Sequence, residues 1–133
     1  MARYLLDTNH ASPLVTLHHP LRQRALSAMQ AGHEFAVCAP VVTEVWYGFS
    51  SVPRAPQNRT EWQKLRLRLH FYGLDEADAI DAAEIRLSMR RVGRQLLAMD
   101  SLIAMVALRY NCILLTTDRD FRAVPNLTYE NWL

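Results

Sequence analysis

The sequence predicts an α/β fold, a mostly parallel sheet with helices on both faces, folded as one domain over residues 1–133. Three observations lead there. Short apolar strand-like runs alternate with longer segments of helical periodicity from end to end. Glycine, proline and asparagine punctuate the boundaries between them. Two strand-like runs end directly at an aspartate, in the position where parallel sheets present their ligand-binding groups.

The elements follow in order. Arg3 to Leu6 is a short apolar strand, and Ser12-Pro13 signals the start of a helix. A second helix runs from Leu21 to Ala31, and Gly32 suits the left-handed position after it. Glu34 to Ala39 reads as a strand. Pro40 fits the first turn of a helix carrying Val41, Val42, Val45, Trp46 and Phe49. Pro53 and Pro56 mark Ser51 to Asn58 as a loop, and Trp62, Leu65 and Leu69 lie on a following helix.

A short strand is expected near His70 to Leu74. The long helix after it, Asp75 to Val92, is stopped by Gly93; acids fill its first half and Arg86, Arg90 and Arg91 its second, complementing the helix dipole. Asp100 is expected to cap a helix with Leu102, Ile103, Val106, Ala107 and Tyr110 at helical spacing, ended by Asn111. Ile113 to Thr116 is a buried-type strand, and Leu127 to Tyr129 a last one. There is no internal repeat and no sign of a second domain.

Composition excludes several classes. The hydrophobic fraction of 50% suits a globular core, and no stretch approaches the roughly 20 apolar residues that span a bilayer. The early strand leaves no room for a signal peptide, and Cys38 and Cys112 lie apart in apolar runs, so the expectation is buried thiols in a reducing cytoplasm. A net charge of +2 argues nothing about nucleic acid. The choice of base says more: Lys64 is the only lysine, and arginine's planar fork suits phosphate, although a GC-rich genome enriches arginine as well.

Four acids carry the functional argument: Asp7, Glu44, Asp100 and Asp118. Each lies in or beside an apolar stretch, and acids are seldom buried unless paired or bound to metal. Singly, each has another explanation. Asp7, Asp100 and Asp118 can cap helices, and Glu44 can sit on a solvated stripe. Asp120 competes with Asp118, but two residues along it points elsewhere. Ala104, one turn beyond Asp100, is expected to leave open space for a ligand. Together the acids are hard to dismiss, because two carboxylates about 4 Å apart repel by roughly 4 kcal/mol at an effective dielectric near 20. A cluster needs protonation or a cation, and oxygen-only ligands select Mg²⁺ or Mn²⁺ over zinc. His18-His19 has no zinc-site spacing, and His10 reads as a solvated residue near Asp7.

Leu5-Leu6-Asp7-Thr8-Asn9, Val42-Thr43-Glu44-Val45 with Tyr47-Gly48, Gly93-Arg94 before Asp100-Ser101-Leu102-Ile103-Ala104, and Thr116-Thr117-Asp118-Arg119-Asp120-Phe121 occur in an order that resembles PIN-domain ribonucleases. The ending, Val124-Pro125-Asn126-Leu127 and Glu130-Asn131-Trp132, is similar to that of the VapC toxins of bacterial toxin–antitoxin pairs. The resemblance spans essentially the whole chain. It departs at Gln95-Leu96-Leu97-Ala98-Met99, where relatives have a shorter, proline-containing approach, and at Met105, where a second alanine is usual.

This resemblance implies a three-layer α/β/α sandwich and endonucleolytic cleavage of RNA. Asp7, Glu44, Asp100 and Asp118 would be the catalytic and metal-site acids, holding Mg²⁺ or Mn²⁺. Thr8 and Asn9 would support Asp7 and a bound water. From the residues themselves, Arg94, Arg86, Arg90 and Arg91 are candidates for flanking phosphates, although dipole matching and solvation explain most of them equally well. The implied partners are RNA, a VapB-like antitoxin and a second copy in a homodimer, with no membrane. Trp46, Tyr47 and Phe49 are divided between core, dimer contact and an antitoxin groove.

Two other readings compete. A receiver-type phosphoryl-transfer domain wants a lysine after a late strand, whereas Lys64 lies mid-chain, and a dehalogenase-like phosphatase wants an aspartate where Asn9 stands. A catalytically silent PIN-like binding module is disfavoured because all four acids are present.

Overall fold

Five short strands run parallel in one sheet of order β3-β2-β1-β4-β5 in the computed structural model, which describes residues 1–133. They are β1 (Arg3–Leu6), β2 (Glu34–Cys38), β3 (His70–Tyr72), β4 (Ile113–Leu115) and β5 (Tyr129–Glu130). Six α-helices connect them: α1 (Thr8–Ala11), α2 (Pro20–Gln30), α3 (Ala39–Ser50), α4 (Ala55–Arg66), α5 (Glu76–Arg91) and α6 (Ala98–Arg109). Two 3₁₀ turns, Ser12–Val15 and Arg119–Ala123, complete the chain.

Successive strand residues point to opposite faces of a sheet. Yet Leu5 and Leu6, Ala36 and Val37, and Leu114 and Leu115 are all buried. Helices therefore cover both faces of the central strands, which gives the three-layer α/β/α sandwich expected from the sequence. The outer strands β3 and β5 are only three and two residues long and partly exposed, which limits the unpaired edge they present.

The chain winds outward from β1 through β2 to β3, then returns to place β4 on the other side of β1. The direction of winding reverses between β1 and β4, and the crevice at their carboxyl ends is where such sheets bind ligands. Leu6 pairs with Leu115, and the Asp7 amide extends the register by donating to the Leu115 carbonyl at 3.0 Å.

Several boundaries differ from expectation for local reasons. The first helix begins at Thr8, capped by Asp7, and Ser12-Pro13 opens a 3₁₀ turn. The predicted loop Ser51 to Asn58 is shorter: α4 begins at Ala55, since proline is tolerated in a first helical turn and Pro56 occupies that place. Leu97 caps α6, so Asp100 lies inside its first turn instead of at the cap. The last strand is Tyr129–Glu130, later than Leu127 to Tyr129. Asp75 and Asp78 form a reciprocal capping box at the start of α5, and Gly32, Gly93 and Asn111 adopt the positive φ expected of helix ends. No helix is long and apolar enough to cross a membrane.

Candidate active site at the ends of β1 and β4

Asp7 sits where β1 ends, 6% exposed, and both carboxylate oxygens are engaged. Its Oδ1 accepts from the Thr8 amide at 2.8 Å. Its Oδ2 accepts from Thr116 Oγ1 at 2.6 Å and Asn9 Nδ2 at 3.2 Å. Burial pushes the Asp7 pKa up, offset in part by the Thr116 and Thr8 hydrogen bonds; the negative charges of Glu44 and Asp118 push it further up.

Asn9 joins the two strand ends. While its amide nitrogen holds Asp7, its Oδ1 accepts from the Thr117 amide at 3.1 Å. The same oxygen is 2.6 Å from His10 Nδ1, and His10 Nε2 accepts from the Trp132 amide at 3.0 Å. With Nε2 an acceptor, the neutral ring carries its proton on Nδ1 and donates to Asn9. Burial lowers the His10 pKa to about 4, with Arg24 adding to the effect, so the ring is neutral at physiological pH. His10 is fully buried, neither solvated nor open to a substrate. Trp132, its partner, is pinned edge-on to Tyr4 and Phe35, with the Arg24 guanidinium 3.8 Å above its ring.

The other three acids stand more freely. Glu44, in the second turn of α3, is exposed and accepts from Thr8 Oγ1 at 2.6 Å. Asp118 follows β4, caps the Arg119–Ala123 turn through the Asp120 amide at 2.9 Å, and receives support from Thr116, whose Oγ1 accepts from the Asp118 amide at 2.9 Å. Asp120 is exposed. Asp100 is half-buried, and its pKa is pushed up to about 6, first by burial and then by the charges of Asp118, Asp7, Glu44 and Asp120. Ala104, one turn on, is fully buried and leaves no open space.

The structure thus brings Asp7, Glu44, Asp100 and Asp118 into one another's electrostatic field from four different elements. The donor set is all oxygen, and its mutual repulsion is what a divalent cation would relieve, so the residues present fit a hard metal ion. They do not form a closed cage, for no three carboxylate, thiol or imidazole groups stand at metal-ligand spacing. Mg²⁺ characteristically keeps several of its waters and is held by one or two carboxylates.

Sequence reasoning missed Thr116, His10 and Trp132. The one available signal was an aromatic in a polar tail, since Trp132 has to bury its ring somewhere. Arg94 is exposed beside the 3₁₀ turn that follows Asp118, and it shares a depression with Arg119 and Arg122. Cys38 and Cys112 are buried free thiols whose pKa values burial raises to about 12 and about 11. Phe49 belongs to the core, whereas Tyr47 is 77% exposed and Trp46 partly so.

Comparison with known proteins identifies the family. The chain is 27% identical over 130 residues to Ribonuclease VapC2 of Rickettsia felis, covering 97% of each. Its fold is similar to that in the crystal structure of VapBC2 from Rickettsia felis bound to a promoter DNA fragment, with a TM-score of 0.85 and 26% identity over 98% of this chain and 99% of that one. DNA-bound VapBC from Salmonella typhimurium superposes with a TM-score of 0.83 at 22% identity, covering 100% of both chains. The PIN domain profile matches residues 4–127, from β1 almost to β5, and the chain belongs to the PIN domain family.

Proposed function

We propose that this protein is a metal-dependent endoribonuclease, a VapC-type toxin that a VapB-like antitoxin holds inactive. The observation that carries the reading is the convergence of four carboxylates on the β1/β4 crevice, with Asp100 raised to about 6 by the charges of the other acids as well as by burial. Likeness to Ribonuclease VapC2, and to toxin structures solved with their antitoxins, supports the same reading.

Asp7, Glu44, Asp100 and Asp118 would hold Mg²⁺ or Mn²⁺. When bound, the cation supplies positive charge against the scissile phosphate and lowers the pKa of the attacking water. The chain's own residues do the positioning. Thr116 and Asn9 fix the direction of the Asp7 carboxylate, and Thr8 orients Glu44. Asp118, tethered only through backbone contacts, has a free Oδ2 to orient water or share the cation. Arg94 lies where it can meet a phosphate beside the cut bond. The toxin is taken to work in the cytoplasm as a homodimer that assembles with antitoxin, consistent with its two buried free thiols.

The test is cleavage of RNA by purified, antitoxin-free protein in Mg²⁺ or Mn²⁺, beside Asp100→Asn. Metal-dependent internal cleavage that the substitution abolishes is expected. Undiminished cleavage by the variant, or none by the native chain with either ion, overturns the reading.

A further inference from the structure

Two shallow depressions adjoin one another along α5 and the Arg119–Ala123 turn. One, of about 770 Å³, is lined by Arg94, Arg119 and Arg122 together with Gln95, Leu97 and Asp120. The second, of about 580 Å³, is lined by Arg86, Arg90 and Arg94 over a floor that includes Ala83, Leu87 and Leu96. Arg94 and Gln95 belong to both, so the two make one continuous path. Arg119 directly follows Asp118, Asp120 lines the same depression, and the segment through Leu97 leads into the helix that carries Asp100, so the chain runs from one end of the path into two of the acids.

The five arginines lack acidic partners. The ion pairs of this protein engage Arg3, Arg22, Lys64, His70 and Arg109, and none includes Arg86, Arg90, Arg94, Arg119 or Arg122. Arg86 is held in place because its Nε donates to the Leu96 carbonyl at 3.0 Å. Arg86 and Arg90 are one turn apart on α5 and share a face. Arg91 lines neither depression, which separates it from the other helix-end arginines that dipole matching would treat alike.

Uncompensated guanidinium groups around a trough suit an extended polyanion, since each can take a phosphate by two parallel hydrogen bonds. The floor supplies a second requirement. Leu87 and Leu97 are exposed apolar side chains at the trough, offering surface to an unpaired base that a duplex would keep stacked inside. We propose that the Arg119–Arg122–Arg94–Arg90–Arg86 path binds single-stranded RNA on one side of the bond to be cut. This rests on the ribonuclease reading above and adds the strand's course to it.

Binding is measured by fluorescence anisotropy with a labelled, unstructured RNA octamer in EDTA, between 50 and 200 mM salt, and with a labelled polyglutamate peptide beside it. Arg86 is left intact because it also braces Leu96. Each phosphate contact contributes about 0.7 to the slope of log affinity against log salt for single strands. The triple variant Arg94→Ala, Arg119→Ala, Arg122→Ala is therefore expected to reduce the slope by about 2 and weaken RNA binding tenfold or more at the lower salt. Arg119→Glu alone should weaken it more than Arg119→Ala, and with cleavable RNA and Mn²⁺ each variant should raise KM more than it lowers kcat.

An unchanged slope in the folded triple variant overturns the proposal. Polyglutamate binding that matches RNA and vanishes in the same variant also overturns it, assigning the path to an acidic protein segment. Because the binding arm omits divalent ions, the path can stand if cleavage fails, and can fail while cleavage stands.

Discussion

The two walls of the crevice are built on opposite terms. On one side, Asp7, Asn9, His10 and Thr116 form a hydrogen-bonded chain in which each polar group faces a named partner. On the other side, Glu44, Asp100 and Asp118 are at least partly open to solvent and have few ties. One wall is fixed before any ligand arrives; the other retains charge that a proton or a ligand must neutralise. The difference teaches that a carboxylate's neighbours decide whether removing its charge harms or helps the fold.

Asp7→Asn and Asp100→Asn test that lesson most sharply. Both should lower RNA cleavage by a hundredfold or more, the scale on which removing transition-state electrostatics acts. Their effects on the metal-free fold should have opposite signs. Asn at position 7 can turn an NH₂ group toward the Thr116 hydroxyl and Asn9 amide, costing about 1–3 kcal/mol. Asn at position 100 removes a repelled charge, so its melting temperature at pH 7.5 should equal or exceed that of the native chain. If both variants lose stability alike, the division between the walls is wrong.

His10→Leu comes next. It leaves the partly buried Trp132 amide without its acceptor, and a destabilisation of about 1–2 kcal/mol is expected in urea unfolding. Because Asn9 loses its brace, kcat should fall while KM holds, and His10→Gln, which can keep one of the two bonds, should recover part of the loss. Thr8→Val on the open wall should change stability by under about 1 kcal/mol, since the bond it deletes is solvent-exposed.

Metal should act on the open wall. Millimolar Mn²⁺ is expected to raise the melting temperature by preferential binding to the folded state, and Asp100→Asn should shrink that rise. An equal shift in the variant would count against Asp100 as a ligand.

The smallest effect concerns pH. The folded-state pKa of Asp100, about 6, lies above the value of about 4 for an unfolded aspartate, so the folded protein holds this proton more tightly. Its contribution to metal-free stability is therefore greatest below pH 4 and is lost as pH rises through 6. His10 works the other way: with a folded pKa near 4 against about 6.5 unfolded, it withdraws stability as pH falls through that window. The two oppose one another in the native chain. Asp100→Asn should make the stability profile climb more steeply from pH 4 to 6.5 than that of the native chain, and an unchanged profile in that variant would contradict the assignment.

Much of this architecture was legible in the sequence. Continuous apolar runs located β1, β2 and β4, and helix-end signals located α2, α5 and the stops at Gly32, Gly93 and Asn111. The four-residue α1 was missed because it is too short to show helical periodicity. The start of α4 was misplaced because Pro56 reads as a breaker when it lies outside a first turn. The aspartates that end β1 and β4 could be picked out by their local setting, but the bonds that join them could not. Thr116 meets Asp7 across 109 residues, and Trp132 meets His10 across 122. No local pattern encodes such pairs; they exist only once the sheet has brought its ends together.

Those separations also have a temporal meaning. A ribosome delivers Asp7 and Glu44 early, but β4, which must lie beside β1 to close the crevice, is among the last segments to emerge. Long-range parallel pairing cannot form until both partners are present. A chain made only through α6 therefore carries three of the four acids without Thr116 to orient the first, and Trp132 locks His10 later still. Asp7 is aimed only once β4 lies beside β1.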